Sequence, residues 1–283
     1  MINRLFVLLQ YLLPQHLLSR LAGRLAETTR PWLKNPMIKL FIRRYGVDMS
    51  EAVEADPCVY SCFNDFFTRA LKPGVRPIDS GPDSLVCPAD GSVSQLGEIQ
   101  EGRIFQAKGQ FYTCLELLGG DKALAETFAG GRFATIYLSP RDYHRVHMPC
   151  SGRLRTSIAI PGELFSVNEV TAHQVPRLFA RNERLVTTFD TDQGPMAMVL
   201  VGAMIVAGIE TVWGGQALPM SRRIQRLDYR PEACSINLAK GEEMGRFKLG
   251  STVILLFPRD RVAWDPAYRV GSRTRMGEAL GQL

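Results

Sequence analysis

The peptide bond between Gly250 and Ser251 is the point where residue types alone allow an unusual reaction. Glycine has no side chain to shield its carbonyl carbon. The serine hydroxyl that follows can attack that carbonyl if a nearby base takes its proton. Histidine suits the role of base because its pKa lies near neutral pH. The chain has four histidines, His16, His144, His147 and His173, and two of them fall close together in Tyr143-His144-Arg145-Val146-His147. Plainer readings compete at each position. Gly250-Ser251 is also what an ordinary turn looks like before the strand-like run Val253–Phe257. Asp90, in Pro88-Ala89-Asp90-Gly91, is by itself a turn aspartate. His144, His147 and Cys150 could ligate a metal, but no fourth ligand with suitable spacing accompanies them. A serine hydrolase would need Gly-x-Ser-x-Gly on a strand-to-helix turn. Ser251 instead follows Phe247-Lys248-Leu249-Gly250 and precedes a strand.

The elements that must position these residues read mainly as strands. Apolar content of 46% and charged content of 22% place the chain among globular proteins. From about residue 86, β-branched and apolar runs predict strands at Ser92–Ile99, Arg103–Ala107, Phe133–Leu138, Arg153–Ile160, Leu185–Phe189, Met196–Ile209 and Thr252–Phe257. Gln100-Glu101-Gly102 reads as a hairpin-type turn between Ser92–Ile99 and Arg103–Ala107, Asp192-Gln193-Gly194-Pro195 as a turn, and Gly202 and Gly208 as bulges or bends within the long run. Thr113 and Asp121 are N-cap candidates for two short helices ending near Gly119 and Gly130. No repeating βαβ pattern, glycine-rich phosphate loop or internal repeat is present. The expected class is α+β. A β-rich core of antiparallel or mixed strands with short helices spans residues 86–283, behind a linker at 47–85 and a helical arm at 1–46. Phe63, Phe66 and Phe67 in the linker read as packing residues on one short helix. Six cysteines without Cys-x-x-Cys spacing read as buried thiols of a reducing compartment.

Charge is concentrated in the arm. Residues 1–46 hold eight Lys or Arg and one acid, Glu27, whereas the whole chain has a formal net charge of +6. Residues 5–13 are apolar except for Gln10, too short a run to span a bilayer, which needs about 20 residues. Leu17, Leu18, Leu21 and Leu25 recur at helical spacing beside Arg20 and Arg24. The pattern fits amphipathic helices on an anionic membrane surface. Its rivals are helices packed on the protein's own core and a signal peptide, for which no convincing Ala-x-Ala site exists. Aromatic and basic residues are not interleaved as nucleic-acid stacking would require.

Leu249-Gly250-Ser251-Thr252, preceded by Glu243-Met244-Gly245-Arg246-Phe247, resembles the self-cleavage site of bacterial phosphatidylserine decarboxylases. Further blocks resemble that family in the same order: Asn64-Asp65-Phe66-Phe67-Thr68-Arg69, Arg76-Pro77-Ile78, Pro88-Ala89-Asp90-Gly91, Ala107-Lys108-Gly109-Gln110, Tyr143 to His147, Phe165-Ser166-Val167-Asn168 and Phe179 to Arg184. The resemblance runs from about residue 1 to about residue 280. It implies a proenzyme that cuts itself between Gly250 and Ser251, giving a β chain of 1–250 and an α chain of 251–283. Ser251 would become a covalent pyruvoyl group, an electron sink that replaces pyridoxal phosphate, and no metal would take part. Asp90 and His147 match positions that complete an Asp-His-Ser constellation with Ser251, Asp90 orienting His147. His144 would serve decarboxylation, as proton donor or in holding the substrate. Phe165, Ser166, Val167 and Asn168 would line the substrate pocket or support the pyruvoyl site. Asn182, Glu183 and Arg184 read as structural ion-pair residues, and Lys248 and Arg246 as facing either headgroups or solvent. The implied partners are phosphatidylserine and an anionic membrane surface, the protein's own two chains, and a second copy of their heterodimer. The implied location is peripheral, on the cytoplasmic face of the inner membrane.

Overall fold

Six consecutive buried residues, Thr252–Phe257, form the strand about which the core is built. A computed structural model describes residues 2–204, 208–218, 223–229, 235–248 and 252–283. Within these, Thr252–Phe257 pairs antiparallel with Arg132–Tyr137 on one side and Gly194–Val201 on the other. Beyond Gly194–Val201 lie Arg184–Thr191, Gly152–Ile160 and Gln225–Asp228. Beyond Arg132–Tyr137 lie Gly91–Glu98 and Arg273–Thr274. With Asn237–Leu238 on the edge of Gly152–Ile160, the sheet has nine strands. Alternation in Thr252–Phe257 divides the core in two. Val253, Leu255 and Phe257 face one apolar cluster and Ile254 and Leu256 the other.

Each face of the large sheet is covered by different elements. On the first, Val146, Ile209, Met244 and Phe247 come from a four-stranded sheet of Gly215–Leu218, Gly208–Thr211, Glu243–Lys248 and Arg145–His147. On the second, Leu117, Ala172, Leu178 and Phe179 come from short helices, joined by Ile104 and Tyr112 of the hairpin Arg103–Ala107 and Gln110–Thr113. The α+β expectation therefore holds, with every paired strand antiparallel. The two N-caps also hold: Thr113 forms a capping box with Glu116, and Asp121 accepts from Leu124 N.

Two strand expectations need correction. The Gln100-Glu101-Gly102 turn forms, closed by backbone bonds between Gln100 and Arg103. Its flanking strands go to different sheets, however, because Arg103–Ala107 pairs with Gln110–Thr113. The run Met196–Ile209 is not one strand. The chain leaves the large sheet after Val201 and re-enters regular pairing at Gly208–Thr211 in the four-stranded sheet. A hydrophobic run cannot reveal such a change of sheet, since both pieces are buried.

The arm is three helices, α1 (Ile2–Leu12), α2 (Gln15–Ala26) and α3 (Pro31–Tyr45). Gly46 ends α3 in the left-handed conformation, at φ 66°. Both the membrane reading and the core-packing reading find a face here. Val7, Ala26 and Ile38 are buried against the protein, while Leu8, Leu12, Leu17, Leu21, Leu25, Trp32 and Leu40 are exposed. No helix among the described residues is long and apolar enough to cross a membrane. The linker contributes α4 (Phe63–Phe67), whose three phenylalanines pack with Ile38, Ala26, Val47 and Tyr60.

Candidate active site

Gly250 and Ser251 lie outside the described residues, but both ends of the segment that holds them are fixed. Upstream, Glu243–Lys248 pairs with Arg145–His147, and Phe247 N donates to His144 O at 3.0 Å. Downstream, Thr252 pairs with Tyr137 and Val201. The chain must therefore pass from the four-stranded sheet to the large sheet within a few residues, starting beside His144.

His144 is fully buried. Its Nδ1 lies 2.8 Å from Asp142 O, and a carbonyl can only accept, so Nδ1 carries a proton. The Phe67 ring covers it, with centroids 3.9 Å apart. The loop bearing it is pinned by Asp142, whose carboxylate accepts from Ser139 N at 2.7 Å and Ser139 Oγ at 2.6 Å. The phenylalanines of α4 thus pack as expected, yet one of them packs on a candidate catalytic ring.

His147 is held by a different set. Its Nδ1 donates to Gly241 O at 2.9 Å, and its Nε2 lies 3.0 Å from the Tyr143 hydroxyl, which donates to it. Burial lowers its pKa below the ordinary 6.5, so the ring is neutral at neutral pH. His16 and His173, by contrast, are exposed.

Asp90 is close to His147 but is not hydrogen-bonded to it. Its carboxylate takes both arms of the Arg76 guanidinium, at 2.6 to 3.1 Å, and accepts from Met276 N at 2.9 Å. Arg76 also bridges to Glu51 at 2.7 Å, and these two carboxylates raise its pKa against the opposing effect of burial. The connection between Asp90 and His147 runs through the backbone, His147 N donating to Pro88 O at 2.8 Å. Asp90 therefore reaches His147 as a nearby negative charge, favouring the protonated ring, rather than by orienting a ring nitrogen. The glycine after it is required by packing: a Cβ on Gly91 would lie 2.3 Å from Tyr137 O.

A matching family model, phosphatidylserine decarboxylase, covers residues 63–282, and a second, described as PSD, covers 5–46. The chain is 60% identical to the phosphatidylserine decarboxylase proenzyme of Pseudomonas entomophila (strain L48), over 98% of this chain and 97% of that one. It is equally similar, at 60%, to the proenzymes of Stutzerimonas stutzeri (strain A1501), over 99% and 95%, and Azotobacter vinelandii (strain DJ / ATCC BAA-1303), over 99% and 98%. The chain belongs to the phosphatidylserine decarboxylase family. The resemblance drawn from the sequence blocks is thereby upheld.

The other residues singled out from sequence fall into distinct settings around this family's site. Phe165 and Val167 are buried in the helix-side cluster. Asn168 caps the helix Glu169–Gln174, its Oδ1 accepting from Thr171 N at 3.0 Å. Asn182 ties this loop to the core, bonding Phe165 N at 3.1 Å and both Phe165 O and Gly202 O at 2.9 Å. Arg184 does not form the expected ion pair. It donates to the carbonyls of Leu117, Asn182 and Glu116, and burial pulls its pKa down to about 10. Arg246 and Lys248 both pair with Glu210 at 2.7 Å, and Lys248 also reaches Glu27 of the arm at 3.3 Å. Cys150 points its sulfur at Met196 Sδ, 3.8 Å away in the core, which removes it from a common site with His147. Five cysteines are free thiols, and burial raises Cys87, Cys114 and Cys150 to about 12. Cys234 lies outside the described residues.

Sequence reasoning missed Arg76, Asp142 and Tyr143 as partners of the site. Arg76 and Tyr143 stand in blocks that carry the family resemblance, which was the available signal. Asp142 gave none.

Proposed function

We propose that this chain is a proenzyme that cuts itself between Gly250 and Ser251 and then decarboxylates phosphatidylserine to phosphatidylethanolamine and carbon dioxide. The observation that carries this is two buried histidines, His144 and His147, beside the strand Glu243–Lys248 that leads toward the cleavage bond, in a chain so similar to named proenzymes. In the cleavage step the Ser251 hydroxyl attacks the Gly250 carbonyl, its proton passing to a histidine, and the peptide bond is replaced by an ester. His147 is suited to take that proton because burial keeps its ring neutral, while the charge of Asp90 stabilises the imidazolium once formed. His144 serves the decarboxylation, holding substrate or returning a proton. A pyruvoyl group formed from Ser251 supplies the carbonyl electron sink that loss of carbon dioxide requires.

Three further readings follow. Residues 1–250 and 251–283 stay together after the cut because Thr252–Phe257 is buried between two neighbouring strands. Its five apolar side chains contribute on the order of 10 kcal/mol by burial. The arm, 1–46, binds an anionic membrane surface through its exposed leucines and its excess of basic residues, at the cytoplasmic face of the inner membrane. The processed chains associate further as a homodimer of heterodimers.

The test is the intact mass of the denatured protein beside Ser251→Ala, together with carbon dioxide release from phosphatidylserine. Two fragments meeting at Gly250 and Ser251, the smaller with a ketone in place of its amino terminus, are expected from the wild type. The variant should remain one chain of 31.6 kDa without activity. A wild-type chain that stays whole in detergent and phospholipid would overturn the proposal.

A further inference from the structure

Helix α1 does more than present leucines to solvent. Gln10, the one polar interruption of the apolar run 5–13, is turned inward and only 2% exposed. Gln10 Oε1 accepts from Ser166 N at 2.8 Å and from Ser166 Oγ at 3.0 Å. A backbone N–H can only donate, so the atom facing it is the amide oxygen. The Nε2 of the same side chain is buried with no hydrogen-bond partner among the described residues. The amide is therefore held for its oxygen alone, at the cost of an unsatisfied donor. Gln15, at the start of α2, repeats the contact one step along: its Oε1 accepts from Leu164 N at 2.6 Å. Tyr11 closes the same joint, its ring 4.8 Å from that of Phe165, with the Arg181 guanidinium 5.3 Å and 4.9 Å from the two rings.

The loop so gripped leads directly to the chemistry. Phe165 is bound on both backbone groups by Asn182, which also binds Gly202 O. Gly202 follows Val201, and Val201 pairs with Thr252, the residue after Ser251. Away from this joint α1 carries Leu8, Leu9 and Leu12, all exposed, Leu12 to 82%. One short helix thus joins an apolar outer face to the backbone of a loop a few residues from the reacting serine.

We infer that Gln10 and Gln15 are positioning residues: they latch the loop of residues 163–168 to the membrane-facing helix, so that the arm forms part of the substrate site's support as well as its anchor. This rests on the proposed readings that the loop flanks the substrate pocket and that the arm meets lipid. A loop fixed at both ends presents one backbone geometry to substrate, and displacement of about 1 Å is enough to slow an enzyme severely.

The experiment uses the full-length processed enzyme with Gln10→Met and, separately, Gln15→Met. Methionine keeps the length and helix propensity of glutamine, removes the acceptor oxygen, and does not weaken the apolar face. Substrate is a short-chain phosphatidylserine below its critical micelle concentration, so membrane binding plays no part in the assay. Vesicle binding, melting temperature and completeness of processing are measured alongside. The latch predicts about tenfold lower kcat/KM on the soluble substrate, mostly through KM, with vesicle binding and melting temperature kept. Wild-type kinetics in both variants would overturn it, as would a melting-temperature loss that accounts for the lost activity. Failure of the wild type itself to bind vesicles would count against the anchor reading alone, since the latch is judged without membranes.

Discussion

The strand Thr252–Phe257 and the helix α1 place their leucines in opposite settings. Leu255 and Leu256 are fully buried between two neighbouring strands, each on its own face of the sheet. Leu8 and Leu12 stand in solvent, and α1 reaches the protein through Val7, Gln10 and Tyr11. Apolar content is alike in the two stretches, so composition does not distinguish them. What differs is which groups face the protein. The strand is held by apolar area and a full ladder, whereas α1 is held by the buried Val7 and a few polar and aromatic contacts. A region built in that way is free to keep its apolar surface for another phase.

Leucine-to-alanine changes should separate the two regions most sharply. In an uncut Ser251→Ala background, Leu255→Ala is expected to lower unfolding free energy by about 2–5 kcal/mol, read from urea midpoints. If it costs no more than a surface change, the strand is not the centre of the core. Leu12→Ala should leave the urea midpoint within about 0.5 kcal/mol while weakening binding to phosphatidylglycerol-containing vesicles about tenfold. Unaltered vesicle binding after this change and Leu8→Ala together would erase the contrast. A smaller effect is expected at the tie between arm and core. The Lys248–Glu27 pair is half exposed on its acidic side, so Glu27→Gln should cost about 0–1 kcal/mol and less at high salt. A larger loss would mean the arm is integral to the core after all. The mildest effect is a pH dependence within the core. His147 has a folded pKa below its ordinary 6.5. As pH falls through that ordinary value, the unfolded chain takes the proton first, so stability decreases with acidification until the folded pKa is passed. In the same uncut Ser251→Ala background, replacing His147 by Gln should flatten the urea-midpoint profile on the acid side, and an identical slope with and without the change would remove His147 as its source.

Much of this organisation is legible in the sequence, for physical reasons that differ by element. Thr252–Phe257 is a short apolar run with β-branched residues after a turn signal, and Thr113 with Glu116 is a local capping pattern. Both are encoded by neighbours. Glu243–Lys248 was not anticipated as a strand, because Glu243, Arg246 and Lys248 obscure its alternation although Met244 and Phe247 are fully buried. At the site, His147 and Asp90 could be marked as candidates, but their partners could not. Arg76 meets Asp90 through the path of the linker, and Gly241 meets His147 across a chain separation of 94 residues. Such pairings follow from the route of the backbone and leave no periodic trace. Gln10 is the instructive case: it stood out as the one polar residue in an apolar run, and only the fold reveals what its amide oxygen holds.

The central position of Thr252–Phe257 also bears on how the protein ages. The proposed cleavage before this strand would assign it to a different polypeptide from both of its neighbours. The chain would then fold while whole, and whatever holds it afterwards need not be able to rebuild it. Once opened, the two pieces must find one another by diffusion, and the vacated sheet exposes two long apolar edges that compete by pairing with other molecules. An enzyme processed in that way would be a one-way assembly, with a working lifetime governed by the rate at which it opens and not by a refolding equilibrium.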